Sequence, residues 1–381
     1  MKNTHRTLTA RLTAAALSTL LTACGSDFLP QGKEITQIEL MRTLAVDAGE
    51  AGLTGVTAAG GVRSDPDGGD SRPPVVLTAT GLTVGDACLT IRTAGESTVS
   101  YSHVQECLIG EDMARQSLEP VVDYLERDYA TRMDTKLFIV QGTTAGELVE
   151  CYTTEQSAVT DRLEAISREL PLKSEAWPYT LRHLLSDLKD NGAALVPLVA
   201  LDDSGETPDI QAVGLCWLED GVMAGTLNRR LSQAASLITG NGESDVFEVA
   251  LDTGGAALKL TGADCAILPQ WEEDRLTGLT LTLTAECALT ELQGHNLQQE
   301  GTALLDDLEA ALSDYLRQGM EEVLTLSQAE GVDFLHLRRL AAMACPGKKE
   351  LFNECWNSSF ADLTLEVDAQ VTLERSYDTI A

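Results

Sequence analysis

The chain has 381 residues, 59 of them Asp or Glu against 27 Lys or Arg, for a formal charge of −32. A surface of that sign repels phosphate, which excludes nucleic acid and an anionic bilayer held by charge alone, because both require clustered Lys and Arg. With 44% apolar residues and its acids dispersed, the chain can bury a substantial core and is long enough to divide into two or three domains.

Residues 1–23 have the three parts of a secretory signal: a basic start with Lys2, Arg6 and Arg11, an apolar core from Leu12 to Leu21, and small residues before a cysteine. The core is too short to span a bilayer, which needs about 20 apolar residues. The run Leu21-Thr22-Ala23-Cys24 reads as a lipoprotein processing site. Thr22 and Ala23 suit a peptidase pocket that accepts only small side chains, and the Cys24 thiol is a nucleophile that can carry a diacylglyceryl group. Two acyl chains, at about 0.8 kcal/mol per buried CH₂, anchor a protein stably where one chain does not. The expectation is a lipoprotein signal peptide over 1–23, lipidation at Cys24, and a lipid-anchored tether over 24–33 that opens with Gly25-Ser26-Asp27.

From Glu34 to Leu201, strand-like and helix-like runs alternate. Strands are predicted over Ile38–Val46, Pro74–Ala79, His103–Ile109 and Leu137–Val140. Helices are predicted over Asp86–Thr93 with Thr83 as cap, Asp112–Arg127 with Pro120 limiting its first turn, Ala145–Tyr152, Ser157–Leu170, and Leu181–Asp190 stopped by Gly192. Gly60–Ser71 is a Gly/Asp loop. The polar stretch Asp202–Pro208 divides this 34–201 unit from a second over 209–377, with a further division near 255–278 left open.

The second unit opens with a hairpin, Ile210–Leu218 and Val222–Leu227, whose Asp220-Gly221 turn supplies the positive φ that a two-residue connection demands. Asn228 caps a helix to Ile238 that Gly240 ends. Val246–Leu251, Ala257–Leu268 and Leu279–Leu289 are predicted strands, and Leu279, Leu281, Leu283, Ala285, Cys287 and Leu289 alternate with polar residues, as in a sheet with one wet face. A long helix from Thr302 to Gln328 carries one apolar stripe from Leu304 to Leu324, and Leu363–Leu373 closes the chain as another alternating strand. The fold class expected is α+β, multidomain, with mixed and antiparallel sheets covered by helices and a long amphipathic helix in the C-terminal half.

Motifs for catalysis and metal binding do not assemble. The histidines His103, His183, His295 and His336 lie far apart in sequence, no G-x-S-x-G is present, and the eight cysteines beyond Cys24 form no C-x-x-C. Cys345 with Cys355 is the first disulfide pair to test. Gly240-Asn241-Gly242-Glu243-Ser244 follows a helix where a phosphate loop precedes one, and reads as a cap and turn. Asp65-Pro66-Asp67-Gly68-Gly69-Asp70 holds only a fragment of a calcium loop. His103 reads as a hydrogen-bonded residue at the start of a strand, and Arg127-Asp128 as a helix C-terminus whose Arg suits the dipole. The expectation is a protein with no catalytic residue, no cofactor and no bound metal.

In order and spacing, the pieces resemble the Ger(x)C family, the lipoprotein C subunits of spore germinant receptors. The resemblance rests on Ile38–Asp47 (I-E-L-M-R-T-L-A-V-D), Gly81–Ala87 (G-L-T-V-G-D-A), Tyr101–Ile109 with Gly110-Glu111, Ala114, and Asp123 through Arg127-Asp128. In the second half it rests on Gly214–Leu227 (G-L-C-W-L-E-D-G-V-M-A-G-T-L), Asp333-Phe334-Leu335 to Pro346, Trp356, Phe360 and the closing strand. The Gly60–Ser71 loop, the strong acidity and the run C-P-G-K-K-E-L-F depart from the family pattern. The resemblance implies a non-catalytic scaffold in spore germination, lipid-anchored (palmitate-type) on the outer face of the spore inner membrane. It also implies assembly with membrane-embedded A and B subunits into a complex that responds to small nutrients, direct germinant binding by this chain being left open. The alternatives are a solute-binding lipoprotein of a transporter, which would need two doubly wound lobes around a crevice, and a lipid-anchored hydrolase.

Overall fold

The computed structural model describes residues 38–62, 73–93, 98–154, 157–242, 244–251, 254–294 and 297–374. The signal peptide, Cys24, the tether, His295 and most of the Gly60–Ser71 loop lie outside the described residues.

The first sheet is built from β1 (Ile38–Ala48), β2 (Thr54–Gly60), β3 (Val76–Gly81), β4 (Thr98–Ser100), β5 (Glu106–Gly110), β6 (Lys136–Gln141), β7 (Ala193–Asp202), β8 (Asp209–Glu219) and β9 (Val222–Leu227). Its order is β3-β2-β1-β5-β6-β7-β8-β9, with β4 beside the start of β1. The centre, β1 through β7, is parallel and the flanks are antiparallel. Parallel strands need helical crossovers, and these bury both faces of the sheet. One face packs Met41, Leu44, Cys107, Ile139 and Val196 under α1 (Val84–Thr93), α2 (Glu111–Gln116), α3 (Glu119–Arg127) and α6 (Leu181–Asn191). The other packs Ala45, Leu108, Phe138 and Leu195 under α4 (Ala145–Tyr152), α5 (Val159–Glu169) and α7 (Arg229–Ile238).

The second sheet runs β10-β11-β12-β13, from β10 (Asp245–Ala250), β11 (Gly255–Glu272), β12 (Arg275–Gln293) and β13 (Thr364–Leu373), with β12 and β13 parallel. Residues 255–278 therefore run along one long hairpin. Leu279, Leu281, Leu283, Ala285 and Cys287 turn inward, where α8 (Leu297–Glu330) lays Leu304, Leu308, Leu312, Leu316, Met320 and Val323 across them. Gly301, at φ 63°, interrupts α8 near its start. Two shorter helices, α9 (Leu337–Ala344) and α10 (Lys349–Ser359), close the end of this layer. The architecture is the mixed, helix-covered one expected, long amphipathic helix included.

Several elements differ from expectation. The helix over 112–127 is two helices, because a proline in a continued helix would strike the carbonyl four residues back; the chain breaks at Ser117, φ 179°, and Pro120 enters the first turn of α3. The strand expected from His103 begins at Glu106, after a turn closed by the Val104 N–H on the Tyr101 carbonyl. The loop Asp202–Pro208 connects two neighbouring antiparallel strands, so β8 and β9 complete the first sheet. Cys345 and Cys355 are both free, as are the other described cysteines.

The Asp220-Gly221 turn forms with φ of 47° and 78°. A Cβ on Gly221 would meet nothing within 4 Å, so the demand for glycine there is one of backbone angle alone. Gly221→Val should destabilise the fold by more than about 1 kcal/mol in chemical denaturation, since a β-branched residue resists positive φ.

Candidate functional site at the junction of the two sheets

The end of α6 and the start of α9 meet in a polar network. Asp187, nearly buried, accepts hydrogen bonds from the Tyr179 hydroxyl (2.8 Å to Oδ2) and Arg339 Nη1 (2.8 Å to Oδ1), and His336 Nε2 lies 3.4 Å from Oδ2. Burial opposes ionisation of Asp187, but the bonds from His336, Tyr179 and Arg339 hold its carboxyl below the usual range. A buried pair of this kind specifies geometry more reliably than it adds stability. Beside it Arg338 donates to the Asp190 carboxylate (2.6 Å) and carbonyl (2.7 Å), and Asn191 Nδ2 donates to the Asp333 carbonyl (2.8 Å).

Asp333 starts α9: its carboxylate accepts from Leu337 N–H (2.7 Å) and Arg338 N–H (3.0 Å), donors a helix start leaves without intrahelical partners. Burial nevertheless pushes its pKa up to about 6. His336, the residue before α9, sits at φ 55°, ψ 34°, in the left-handed region. A cavity of 520 Å³ opens against this network, walled by Trp177, Pro178, Leu335 and Leu340 and rimmed by His183 and Ser186.

A second concavity, of 320 Å³, lies outside the carboxyl ends of β1, β5 and β6, where open α/β sheets bind ligands. Here the chain fills the place itself. The Asp47 carboxylate accepts the N–H groups of Ala145 (2.7 Å) and Gly146 (2.8 Å) at the start of α4. Gly110 leaves room for it, since a Cβ there would collide with Asp47 Oδ1. Burial pushes the Asp47 carboxyl up despite those bonds, with Glu147 and Asp112 adding to the rise. The rim carries Glu111, Asp112 and Glu147, which disfavours an external anion. Further along β5, Glu106 is fully buried: Thr160 Oγ1 donates to Oε2 at 3.0 Å, and Lys136 Nζ is 3.9 Å from Oε1. Burial pushes Glu106 up to about 7, partly offset by Thr160 and Lys136.

Cys24 and the Asp65–Asp70 fragment lie outside the described residues. His103 is exposed in a turn, its Nδ1 3.1 Å from Ser102 Oγ. Arg127 pairs with Asp123 one turn earlier (2.7 Å). Gly240, at φ 73°, and Asn241 end α7, with Asn241 and Gly242 N–H groups on the Ser236 carbonyl. His183 and His336, far apart in sequence, line the same cavity. Pattern reading missed this because the network joins α6 to α9, elements with no shared motif. The signal within reach was Asp333, a helix-capping residue type four residues before the run Leu337-Arg338-Arg339. Among the described residues no group of three His, Cys, Asp or Glu is placed to hold a metal ion, and no helix is long and apolar enough to cross a membrane.

Two layered sheets, continuous over nearly all the described chain, define the class. Residues 31–201 match the family model described as spore germination protein N-terminal domain, and residues 214–377 match that described as spore germination B3/GerAC like, C-terminal. The chain belongs to the GerAC-like family of spore germination proteins. It is 23% identical over 317 residues to "Putative spore germination protein YfkR" of Bacillus subtilis (strain 168), the match covering 80% of each chain. Its fold is similar to that in the crystal structure of the GerBC protein, with a TM-score of 0.57 at 14% identity, covering 87% of this chain and 97% of that one.

Two measurements test these electrostatics. Asp47→Ala leaves the Ala145 and Gly146 N–H groups without an acceptor and should cost about 2 kcal/mol; added formate should then raise the melting temperature of the variant more than that of the parent. For Glu106, the folded chain holds the proton between about 4.5 and about 7 while the unfolded chain has released it. Its contribution to stability is therefore fully present below 4.5 and lost as pH rises through 7. Glu106→Gln should flatten the fall in unfolding free energy between pH 5 and pH 7 and be the more stable protein at pH 8, by on the order of 2 kcal/mol.

Proposed function

We propose that this protein is the lipid-anchored C subunit of a nutrient germinant receptor, a non-catalytic scaffold that assembles with the A and B membrane subunits. The observation that carries the reading is the match to both germination domains across 31–377, directly behind an apolar stretch that ends in Leu21-Thr22-Ala23-Cys24. In this reading residues 1–23 are removed, Cys24 carries the acyl chains, and 24–33 tether the body to the extracytoplasmic face of the spore inner membrane. The body divides into an N-terminal part over 34–201 and a C-terminal part over 209–377, the second lending its first hairpin, β8 and β9, to the first sheet. Anchoring turns weak contacts with membrane partners into effectively intramolecular ones, raising their local concentration. The acidic body supplies no electrostatic hold on anionic lipid, so the acyl chains carry the attachment.

The solute-binding alternative draws on the parallel centre of the first sheet. Its crevice, however, is occupied by Asp47 from within and ringed by acids.

Cys24→Ala should leave the melting temperature of the folded body unchanged, move the protein from the membrane to the soluble fraction, and slow nutrient-triggered germination of spores that carry it. A variant that still sediments with membrane would remove the anchor from this account.

A further inference from the structure

The cavity between α6 and α9 has the attributes of a ligand site, independently of how the chain is anchored. Its 520 Å³ falls within the range of small-molecule sites, and it lies where two structural layers meet, a preferred place for them. Its lining is mixed, with Trp177, Pro178, Leu335 and Leu340 beside the polar groups of His183, Asp187, His336 and Arg339.

Three of those groups have unused bonding capacity. Arg339 spends Nη1 on Asp187, and its side chain stays 42% exposed, with no other protein acceptor among the described residues. A guanidinium with free N–H groups at a cavity wall matches a carboxylate. His336 is 4% exposed, yet its Nδ1 has no hydrogen-bond partner among the described residues. With Nε2 turned to Asp187, Nδ1 is left to hydrogen-bond a bound molecule. Buried polar atoms in native proteins are nearly always bonded, and a histidine held in the left-handed region before α9 is a conformation that the surrounding structure must enforce. On the rim, His183 takes the Thr180 N–H on Nδ1 (3.3 Å), which leaves its Nε2 side free for the same anion. The Trp177 and Leu340 walls suit an apolar substituent.

We infer that this cavity binds a small carboxylic acid whose α-carbon carries a hydrogen-bonding polar group and an apolar group: carboxylate on Arg339 and His183, polar group on His336 Nδ1, apolar group against Trp177 and Leu340.

Calorimetric titration of the full-length chain in detergent with three probes tests each part. Mandelate has carboxylate, hydroxyl and ring; phenylacetate lacks the hydroxyl; 1-phenyl-1,2-ethanediol lacks the carboxylate. Saturable mandelate binding is expected, weakened about tenfold or more for each of the other two and for Arg339→Gln. Because Arg339 also holds Asp187, Arg339→Gln can disturb the junction itself. Ser186→Trp, on the exposed rim, should block mandelate without lowering the melting temperature. Absence of saturable mandelate binding by the parent, or unchanged binding by Ser186→Trp, overturns the site. Equal binding of the diol overturns the carboxylate assignment, and equal binding of phenylacetate overturns the role of His336.

Discussion

The rest of the structure depends on the burial of α7 between the two sheets. Seven of its ten residues are buried, a helix covered on nearly every side. Such a helix must satisfy its own polar groups internally. Ser232 Oγ accepts the Leu215 N–H (3.1 Å) and donates to the Leu227 carbonyl (3.2 Å), tying α7 to two strands of the first sheet. Gln233 Nε2 donates to Asp245 (2.6 Å), tying it to the second. Gly214, at φ 125°, makes this approach feasible, because a Cβ there would lie 2.8 Å from Ser232 Oγ. One apolar cluster consequently runs from Leu108 and Phe138 through Ala235 and Leu237 to Leu281 and Leu312, and neither sheet buries that face without the other.

Acidity is distributed in keeping with that core. Most acids face water, where a net charge of −32 maintains solubility but sets the surface against itself. A few are inside, and each has bonded partners: Glu106 on Thr160, Asp333 on two backbone N–H groups, Asp245 on Gln233 and its neighbour's N–H. Burial pushes all three up, to about 7, about 6 and about 6. These three and the surface therefore act in the same direction, favouring the folded state more as pH falls from neutral toward 5, while Asp187, held below the usual range, opposes them at lower pH.

Much of this was legible in the sequence where period and punctuation were strong. The stripe of α8, the alternation of β12 and β13, the Asn228 and Thr83 caps, and the Asp220-Gly221 turn all form in the structure, since each depends on local geometry. β7 was missed because a strand buried on both faces has no alternation, and Ala-Ala-Leu-Val-Pro-Leu-Val offers only a short apolar run broken by Pro197. β2, Thr-Gly-Val-Thr-Ala-Ala-Gly, has too many small residues to signal a strand; its place beside β1 is fixed by pairing, not propensity. Asp202–Pro208 is polar because it is an exposed connection, and composition does not reveal whether the strands on either side share a sheet. The junction network was illegible for a similar reason: Asp187, His336 and Arg339 acquire meaning only when α6 and α9 are side by side.

The two contacts between the halves do different work. The α7 seam is mostly apolar, with the bonds of Ser232 and Gln233 as its directional part. Trp217 narrows the choice of docking angle: its ring lies over Gly225, where a Cβ would collide with it, and stacks on Phe334 at 5.3 Å, which brings the start of the α9 segment against β8. Asp187 and Asp190 on one side, with Arg339 and Arg338 on the other, complete the specification, because an offset of α9 by one residue separates both pairs and leaves the buried Asp187 without its Arg339 partner. The cavity walls come from both sides of this docking, so their shape exists only when the halves are registered. Any molecule that binds there binds the docked arrangement alone, and by mass action strengthens it. Occupancy of the cavity and the relative placement of the two halves are thus one equilibrium, in a body whose outer surfaces are held in fixed relation by that placement.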